Sequence, residues 1–166
     1  NVGSQGVQIA ERATQAALAY ALDRVQSARA GAEDRTPVAI MDHPDVRRML
    51  LRMRSLTEAM RGLLYYTAGQ VDRGDIGHAA ARARAEVLVP MLKAWATDTG
   101  IEVASLGIQV HGGMGFVEET GAAQHYRDAR IAPIYEGTNG IQAADLVGRK
   151  LAMDGGAVAR GLIERI

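Results

Sequence analysis

PDVRRMLLRMRSLTEAMRGLLYYTAGQV, residues 44–71, decides the fold. Val46, Met49, Leu50, Met53, Leu56, Met60, Leu63, Leu64, Ala68 and Val71 recur at steps of three and four, which puts them on one long stripe of an α-helix. Arg47, Arg48, Arg52, Arg54, Glu58 and Arg61 fall mostly off that stripe, as residues of a solvated or interface face do. Pro44 suits the first turn, because the N–H it lacks is one that a helix start leaves unpaired anyway, and Asp42 or His43 is the expected cap. The pattern breaks over 69–77.

Working outward from this helix, the same periodicity recurs on both sides. Upstream, Val7, Ala10, Ala13, Ala17, Tyr20, Ala21 and Val25 predict a helix from about Gly6 to Ala30, stopped by Gly31. The polar stretch 31–43, which contains Pro37, reads as a connecting loop. Downstream, a third helix is expected from about His78 to Leu106, with Val87, Leu88, Met91, Leu92, Trp95, Val103 and Leu106 as its stripe. Pro90 lies inside it; proline removes a donor and crowds the carbonyl four residues back, so a kink is expected near Glu86. Residues 107–115 are dense in glycine. A short helix over about 118–127 follows, then another from Tyr135 or Thr138 to about Met153. Asp154-Gly155-Gly156 breaks that one, and Ala157 to Ile166 reads as the start of one more. No run has the strand period, and no repeat is present. The expected fold is all-α: an antiparallel four-helix-type bundle with an additional short helix, built by residues 1–153, with 154–166 beginning a further helix or C-terminal extension.

Composition agrees and removes several function classes. Hydrophobic residues make up 48% of the 166 but aromatics only 4%, so Ala, Leu, Val, Ile and Met must fill the core, and the first two are strong helix formers. Nineteen basic residues balance nineteen acidic ones, which argues against a nucleic-acid partner. Without cysteine there is neither a disulfide framework nor a thiolate metal site, which fits a reducing cytosol and a cytoplasmic location. His43, His78, His111 and His125 have no metal-ligand spacing, so no metal is expected. No apolar run reaches the roughly 18 residues a membrane helix needs. The chain begins at Asn1 and runs straight into a helical pattern, so it reads as a piece of a longer protein.

Two segments are poor bundle material. Gln109-Val110-His111-Gly112-Gly113-Met114-Gly115-Phe116 sets bare backbone N–H groups beside an amide side chain, a fair cradle for phosphate or sugar. It lacks the Gly-Lys-Ser/Thr end of a P-loop and the preceding strand of a dinucleotide fingerprint. Ile134-Tyr135-Glu136-Gly137-Thr138-Asn139-Gly140-Ile141-Gln142 places a lone carboxylate on a loop entering a helix. In an apolar cleft such a carboxylate has its pKa raised, since burial disfavours the charged form, and that is the setting a general base needs. The plain alternatives are that each segment is a turn between helices, and that Glu136 merely suits a helix N-terminus.

These two segments, with Tyr126-Arg127-Asp128-Ala129-Arg130-Ile131 between them, resemble the C-terminal signature of acyl-CoA dehydrogenases. Order agrees, and so does the separation of glutamine and glutamate (136 − 109 = 27). Ala21-Leu22-Asp23-Arg24-Val25-Gln26 resembles the end of that domain's first helix, and Asn139 to Leu146 with Arg149-Lys150-Leu151 resembles the larger members.

The resemblance implies an FAD-dependent α,β-dehydrogenation of acyl-CoA thioesters to trans-2-enoyl-CoA, of the fatty-acid β-oxidation type. It makes Glu136 the base that removes the α proton and sets Tyr135 and Gly137 beside the substrate. Arg24, Gln109, Gly112, Gly113 and Thr138 take cofactor-binding roles, Arg24 toward the flavin of a neighbouring subunit. It therefore also implies a homo-oligomer, and an electron-transfer flavoprotein or similar acceptor as partner. Glu136 is expected to be shielded from water and near the Gly112–Gly113 pair. The isolated fragment, without the family's N-terminal helical and middle β domains, is expected to be inactive. Two positions depart from the family: Ser27-Ala28 stands where Phe-Gly is common, and Gly140 where some members carry a polar side chain. The competing expectations are a non-catalytic helical oligomerisation domain of a flavoprotein relative, and a relative with another role such as nucleic-acid binding, against which the zero net charge argues.

Overall fold

In the computed structural model, which describes residues 2–165, three long helices run up, down and up. They are α1 (Val2–Asp23), α2 (Pro44–Asp75) and α3 (Ala79–His111). The one-turn α4 (Gly113–Phe116) and then α5 (Ala122–Ala129) follow, α5 packing on α1 and α3. α6 (Asn139–Asp145) lies on α3, continues as a π-helical turn over Leu146–Lys150, and leads to α7 (Ala157–Ile163), which also touches α3. The all-α expectation holds. Ile166, the end of the expected last helix, lies outside the described residues.

α3 is the central element, and its closest neighbour is α1. The buried face of α1 is nearly all small: Gly6, Ala10, Ala13, Ala17 and Ala21 with Val7. That lets two backbones meet. A Cβ on Gly6 would overlap the Ala96 carbonyl oxygen and lie 2.7 Å from its carbon, and a Cβ on Gly100 would lie 3.0 Å from the Gly6 carbonyl oxygen. α2 packs its stripe into the remaining groove through Met49, Leu50, Met53 and Met60. Thr14 and Thr57 face each other across α1 and α2, each hydroxyl bonded 2.8 Å to the carbonyl four residues back, so neither is left without a partner. The arginines beside the α2 stripe tie the helices at their rims. Arg61 pairs with Glu11 of α1 (2.5 Å) and with Glu58 (2.8 Å), and Arg52 pairs with Glu102 of α3 (2.5 Å).

Several boundaries differ from expectation. α1 stops at Asp23, seven residues early, because the chain turns into an antiparallel pair, β1 (Val25–Ala28) with β2 (Pro37–Ala39). Ser27 within it has φ +60°, which no helix tolerates. Strands of four and three residues are too short to show alternation. His43 precedes α2 without capping it by side chain; its ring instead meets the Gln26 carbonyl at 2.8 Å and pins the strand pair to the start of α2. α3 runs unbroken through Pro90 and on to His111, five residues past the expected end at Leu106. Met91 and Trp95, read as part of its buried stripe, are 42% and 40% exposed. The expected helix from Thr138 to Met153 loses its α register after Asp145, where the Leu151 N–H bonds to the Leu146 carbonyl five residues back, at 2.9 Å.

Gly6→Ala is expected to destabilise the domain by about 1–3 kcal/mol, the usual cost of forcing atoms into a packed contact; a denaturant midpoint equal to wild type would show that α1 and α3 can part there freely. Hydrogen bonds from Arg61 and Gln15 hold the Glu11 carboxyl below its usual value of 4.5. Its stabilising contribution is therefore present above that pH and lost as pH falls through the depressed value. Glu11→Gln should be less stable than wild type by up to about 1 kcal/mol near neutrality, and the gap, followed by unfolding at a series of pH values, should close below 4.5.

Candidate functional site

The segment after α5 folds into a tight knot before α6 begins. Ala132 and Pro133 are buried, and the Asn139 N–H reaches back to the Pro133 carbonyl at 3.0 Å, closing the loop on itself. Within it Glu136 and Gly137 both have positive φ, +54° and +86°. For glycine that is free, whereas for glutamate it is a strained conformation costing about 1–2 kcal/mol. Thr138 then caps α6, its hydroxyl accepting from the Ile141 N–H at 3.3 Å. Among the described residues nothing accepts from the Glu136 N–H.

Beneath the knot lies a residue that sequence reasoning missed. Lys93, on α3, is 4% exposed. Its ammonium donates to the Gly137 carbonyl and to Asn139 Oδ1, both at 2.8 Å. The Asn139 amide nitrogen in turn donates to the Ala94 carbonyl (3.1 Å), Thr97 Oγ1 (3.0 Å) and Asp98 Oδ1 (2.9 Å). Burial pushes the Lys93 ammonium below its ordinary pKa, while the charges of Asp98 and Glu136 pull it back. A lysine inside the apolar run Val87–Ala96 was the available signal. Tyr135, half-buried, donates its hydroxyl to Gln5 Oε1 near the start of α1, another link invisible in the sequence.

Arg24, Gly112 and Gly113 meet elsewhere. With Tyr20, Gln26 and His111 they line a groove of about 350 Å³. His111 is buried, bonded through Nδ1 to the Gly107 carbonyl (2.7 Å) and stacked on the Tyr20 ring (4.3 Å between centroids), so its role is structural. Arg24 is exposed, and a Cβ at Gly112 or Gly113 would meet nothing within 4 Å. The groove thus offers open backbone beside a guanidinium that has no ion-pair partner among the described residues, which suits a phosphate-bearing ligand. Gln109 is exposed on the last turn of α3, its carbonyl accepting from the Gly112 N–H at 3.1 Å. Among the described residues no cluster of three metal-ligating side chains occurs.

Two expectations about Glu136 fail within this chain. Its side chain is exposed, so no cleft of these residues shields it. It also stands apart from the glycine pair. The Glu136 turn is fixed to Gln5 and Lys93, whereas the groove is built at the far ends of the same helices, from Asp23 and His111 onward. Eighteen residues separate these points on each helix (23 − 5 and 111 − 93), or about 27 Å at a helical rise of 1.5 Å. One chain therefore presents two half-sites, one at the C-terminal ends of α1 and α3 and one beside the start of α1 and the middle of α3.

The chain matches the family model described as "Acyl-CoA dehydrogenase, C-terminal domain" over residues 1–151. It is 58% identical over 169 residues to 3-methylmercaptopropionyl-CoA dehydrogenase of Ruegeria pomeroyi, covering 99% of this chain and 29% of that protein. Butyryl-CoA dehydrogenase of Megasphaera elsdenii superposes with a TM-score of 0.70 at 32% identity, over 90% of this chain and 35% of that one. ACDH-11 of Caenorhabditis elegans, solved with C11-CoA, superposes with a TM-score of 0.86 at 22% identity, over 99% and 27%, a likeness of fold. The chain thus spans about a quarter to a third of the length of these proteins.

Proposed function

Because the chain belongs to the acyl-CoA dehydrogenase family, as its C-terminal domain, we propose that the protein carrying it oxidises an acyl-CoA thioester between Cα and Cβ with bound FAD, and that Glu136 is the base. The observation that carries this is the Glu136–Gly137 turn. It holds a carboxylate out in a strained, tethered conformation with no acid or base of its own chain paired to it among the described residues.

The chemical difficulty is the weak acidity of the α C–H. A carboxylate removes that proton only if the negative charge moving onto the thioester oxygen is stabilised at the same moment. The Glu136 N–H, free of any acceptor in the described residues, is suited to donate to that oxygen. Backbone donor and side-chain base then come from one residue, and the fixed turn sets the angle between them. Tyr135 and Gly137 flank the substrate. Water must be excluded for Glu136 to act as a strong base, and since this chain leaves it exposed, the remaining two thirds or more of the protein and the substrate supply that cover.

The residues at the other end fit FAD: an exposed guanidinium and bare glycine backbone facing open space. Arg24, Gln109, Gly112 and Gly113 would hold its phosphates and adenosine end, and Thr138 its phosphates at the Glu136 end; when bound, the flavin accepts the hydride leaving Cβ. With about 27 Å between the two half-sites, Arg24 and the glycine pair serve the flavin of a neighbouring copy, so the proposal includes a homo-oligomer. An electron-transfer flavoprotein or similar acceptor takes the electrons onward. The named relatives make 3-methylmercaptopropionyl-CoA and butyryl-CoA the first substrates to offer.

In the full-length, FAD-loaded protein, Glu136→Gln should still bind acyl-CoA but reduce its flavin about 100- to 10,000-fold more slowly, the range a general base contributes. Wild-type bleaching by that variant in stopped flow would end the proposal. Arg24→Ala should raise the dissociation constant for FAD about 10- to 100-fold, as expected when a charged hydrogen bond is lost, measured by titrating the apoprotein; unchanged affinity would remove Arg24 from the cofactor site.

A further inference from the structure

We infer that Lys93 is a positioning residue for the Glu136 turn: from inside the bundle its ammonium grips the loop on both sides of Thr138, at the Gly137 carbonyl and the Asn139 amide, and so sets the direction in which the Glu136 carboxylate leaves the backbone. The inference rests on the proposal that Glu136 is the base.

Lysine is almost never fully buried unless something pairs with it. Lys93 is 4% exposed, and among the described residues no carboxylate lies within ion-pair distance of it. Its partners are instead a backbone carbonyl and a side-chain amide of the loop, both at 2.8 Å. A cation that served only packing or net charge would be matched by a neighbouring acid, or replaced by the Leu and Val that surround it on α3. This one spends its donors on the loop, so removing it releases the loop.

The geometry concentrates the effect on Glu136. Gly137 is the next residue, and its carbonyl orientation fixes the peptide plane that ends the turn. Asn139 is the first residue of α6, and its amide is locked by three further bonds to Ala94, Thr97 and Asp98 of α3. Thr97 is held to the Lys93 carbonyl at 2.8 Å, so the anchor and its surroundings share one turn of α3. A glutamate at φ +54° sits in a conformation that an untethered loop would leave readily. The Lys93 charge also attracts the Glu136 carboxylate from below without pairing to it, and so draws the charge toward the tether while leaving the carboxylate exposed.

The test uses the full-length, FAD-loaded protein with Lys93→Met, Lys93→Gln, Glu136→Gln and the Lys93→Met/Glu136→Gln double variant. Acyl-CoA reduction of the flavin is read by stopped flow, together with FAD content, enoyl-CoA binding and amide exchange across residues 134–142. Lys93→Met should still take up FAD and bind enoyl-CoA, each at most about tenfold more weakly than wild type, the loss of a single hydrogen bond from the released loop. Its flavin should be reduced about 100-fold more slowly, the loss that follows a misplacement of about 1 Å in a reacting group, and amides 136–139 should exchange faster. Lys93→Gln, which keeps a donor, should fall between, and it carries the same readouts if Lys93→Met does not fold. In the Glu136→Gln background Lys93→Met should change the residual rate by less than about twofold, because the two residues act as one unit. A folded Lys93→Met that reduces flavin at the wild-type rate, or losses that multiply fully in the double variant, would overturn the positioning role while leaving Glu136 as the base. A Glu136→Gln enzyme that works normally would instead remove the base, and this role with it.

Discussion

The contact between Gly6 and Gly100 governs the rest of the structure. Backbone meets backbone there, with no room for a single methyl group, so α1 and α3 are fixed against each other in register. Gly6 lies on Ala96 and Gly100, Ala13 lies on Gly107, and Tyr20 stacks on His111. The two helices therefore run parallel with a nearly constant offset along α1 and the C-terminal half of α3. Small residues carry this contact: the buried face of α1 is mostly glycine and alanine, which gain little from burial individually but let the helices approach closely enough for dispersion contacts to accumulate. α2 then fills the outer groove with methionine and leucine, which conform to an uneven surface more readily than branched or aromatic side chains do.

That register has a functional consequence. Parallel packing in this register brings the C-terminal ends of α1 and α3 together, where Arg24 follows α1 and Gly112 and Gly113 follow α3. It also sets the start of α1 beside the middle of α3, where Gln5 and Lys93 hold the Glu136 turn. The polar residues that the bundle needs for stability lie between or beneath these two places. Arg61 with Glu11 and Glu58, and Arg52 with Glu102, lock the helix rims, and none of them enters either half-site. A rigid spacer with dissimilar ends suits an assembly in which neighbouring copies complete each other's sites, and it gives a physical reason for the cofactor contacts in the proposed function to come from more than one chain.

Much of this was legible in the sequence, and the illegible part has a common cause. The long helices declared themselves because a stripe of ten apolar residues over 46–71 outweighs local irregularity. The two glycine-containing segments stood out because paired glycines are poor material for a bundle interior. Contacts between residues distant in the chain were hidden: Lys93 with Gly137, Tyr135 with Gln5, Lys150 with Glu86. Periodicity sorts residues into buried and exposed faces, and a lysine is assigned by default to the exposed one. The same default put Met91 and Trp95 inside, although both stand at the surface of this chain. The strands 25–28 and 37–39 escaped because their pairing lies across a loop and their length is below one full alternation. The reading of Glu136 and the glycine pair as neighbours failed for a related reason, since sequence order carries no information about which part of a 33-residue helix a later loop returns to.

The exposure of Glu136 separates two requirements that a catalytic carboxylate must meet. Orientation needs a rigid mount, and here the mount is internal: a left-handed turn, a capped helix behind it and a buried cation below. Desolvation needs a cover, and nothing in residues 2–165 provides one. A domain that met both requirements alone would have to bury a carboxylate in an apolar pocket during its own folding, at a cost of several kcal/mol for an unpaired charge. Splitting the two avoids that cost. The helical domain folds around a solvated carboxylate, and on the proposed function the charge is desolvated only when substrate and the remainder of the protein close over it, so that the binding energy of the thioester's remote parts offsets the removal of water. On the proposed function, the isolated domain then holds its base in the correct direction and remains inactive for want of a lid, which is a different failure from disorder at the site.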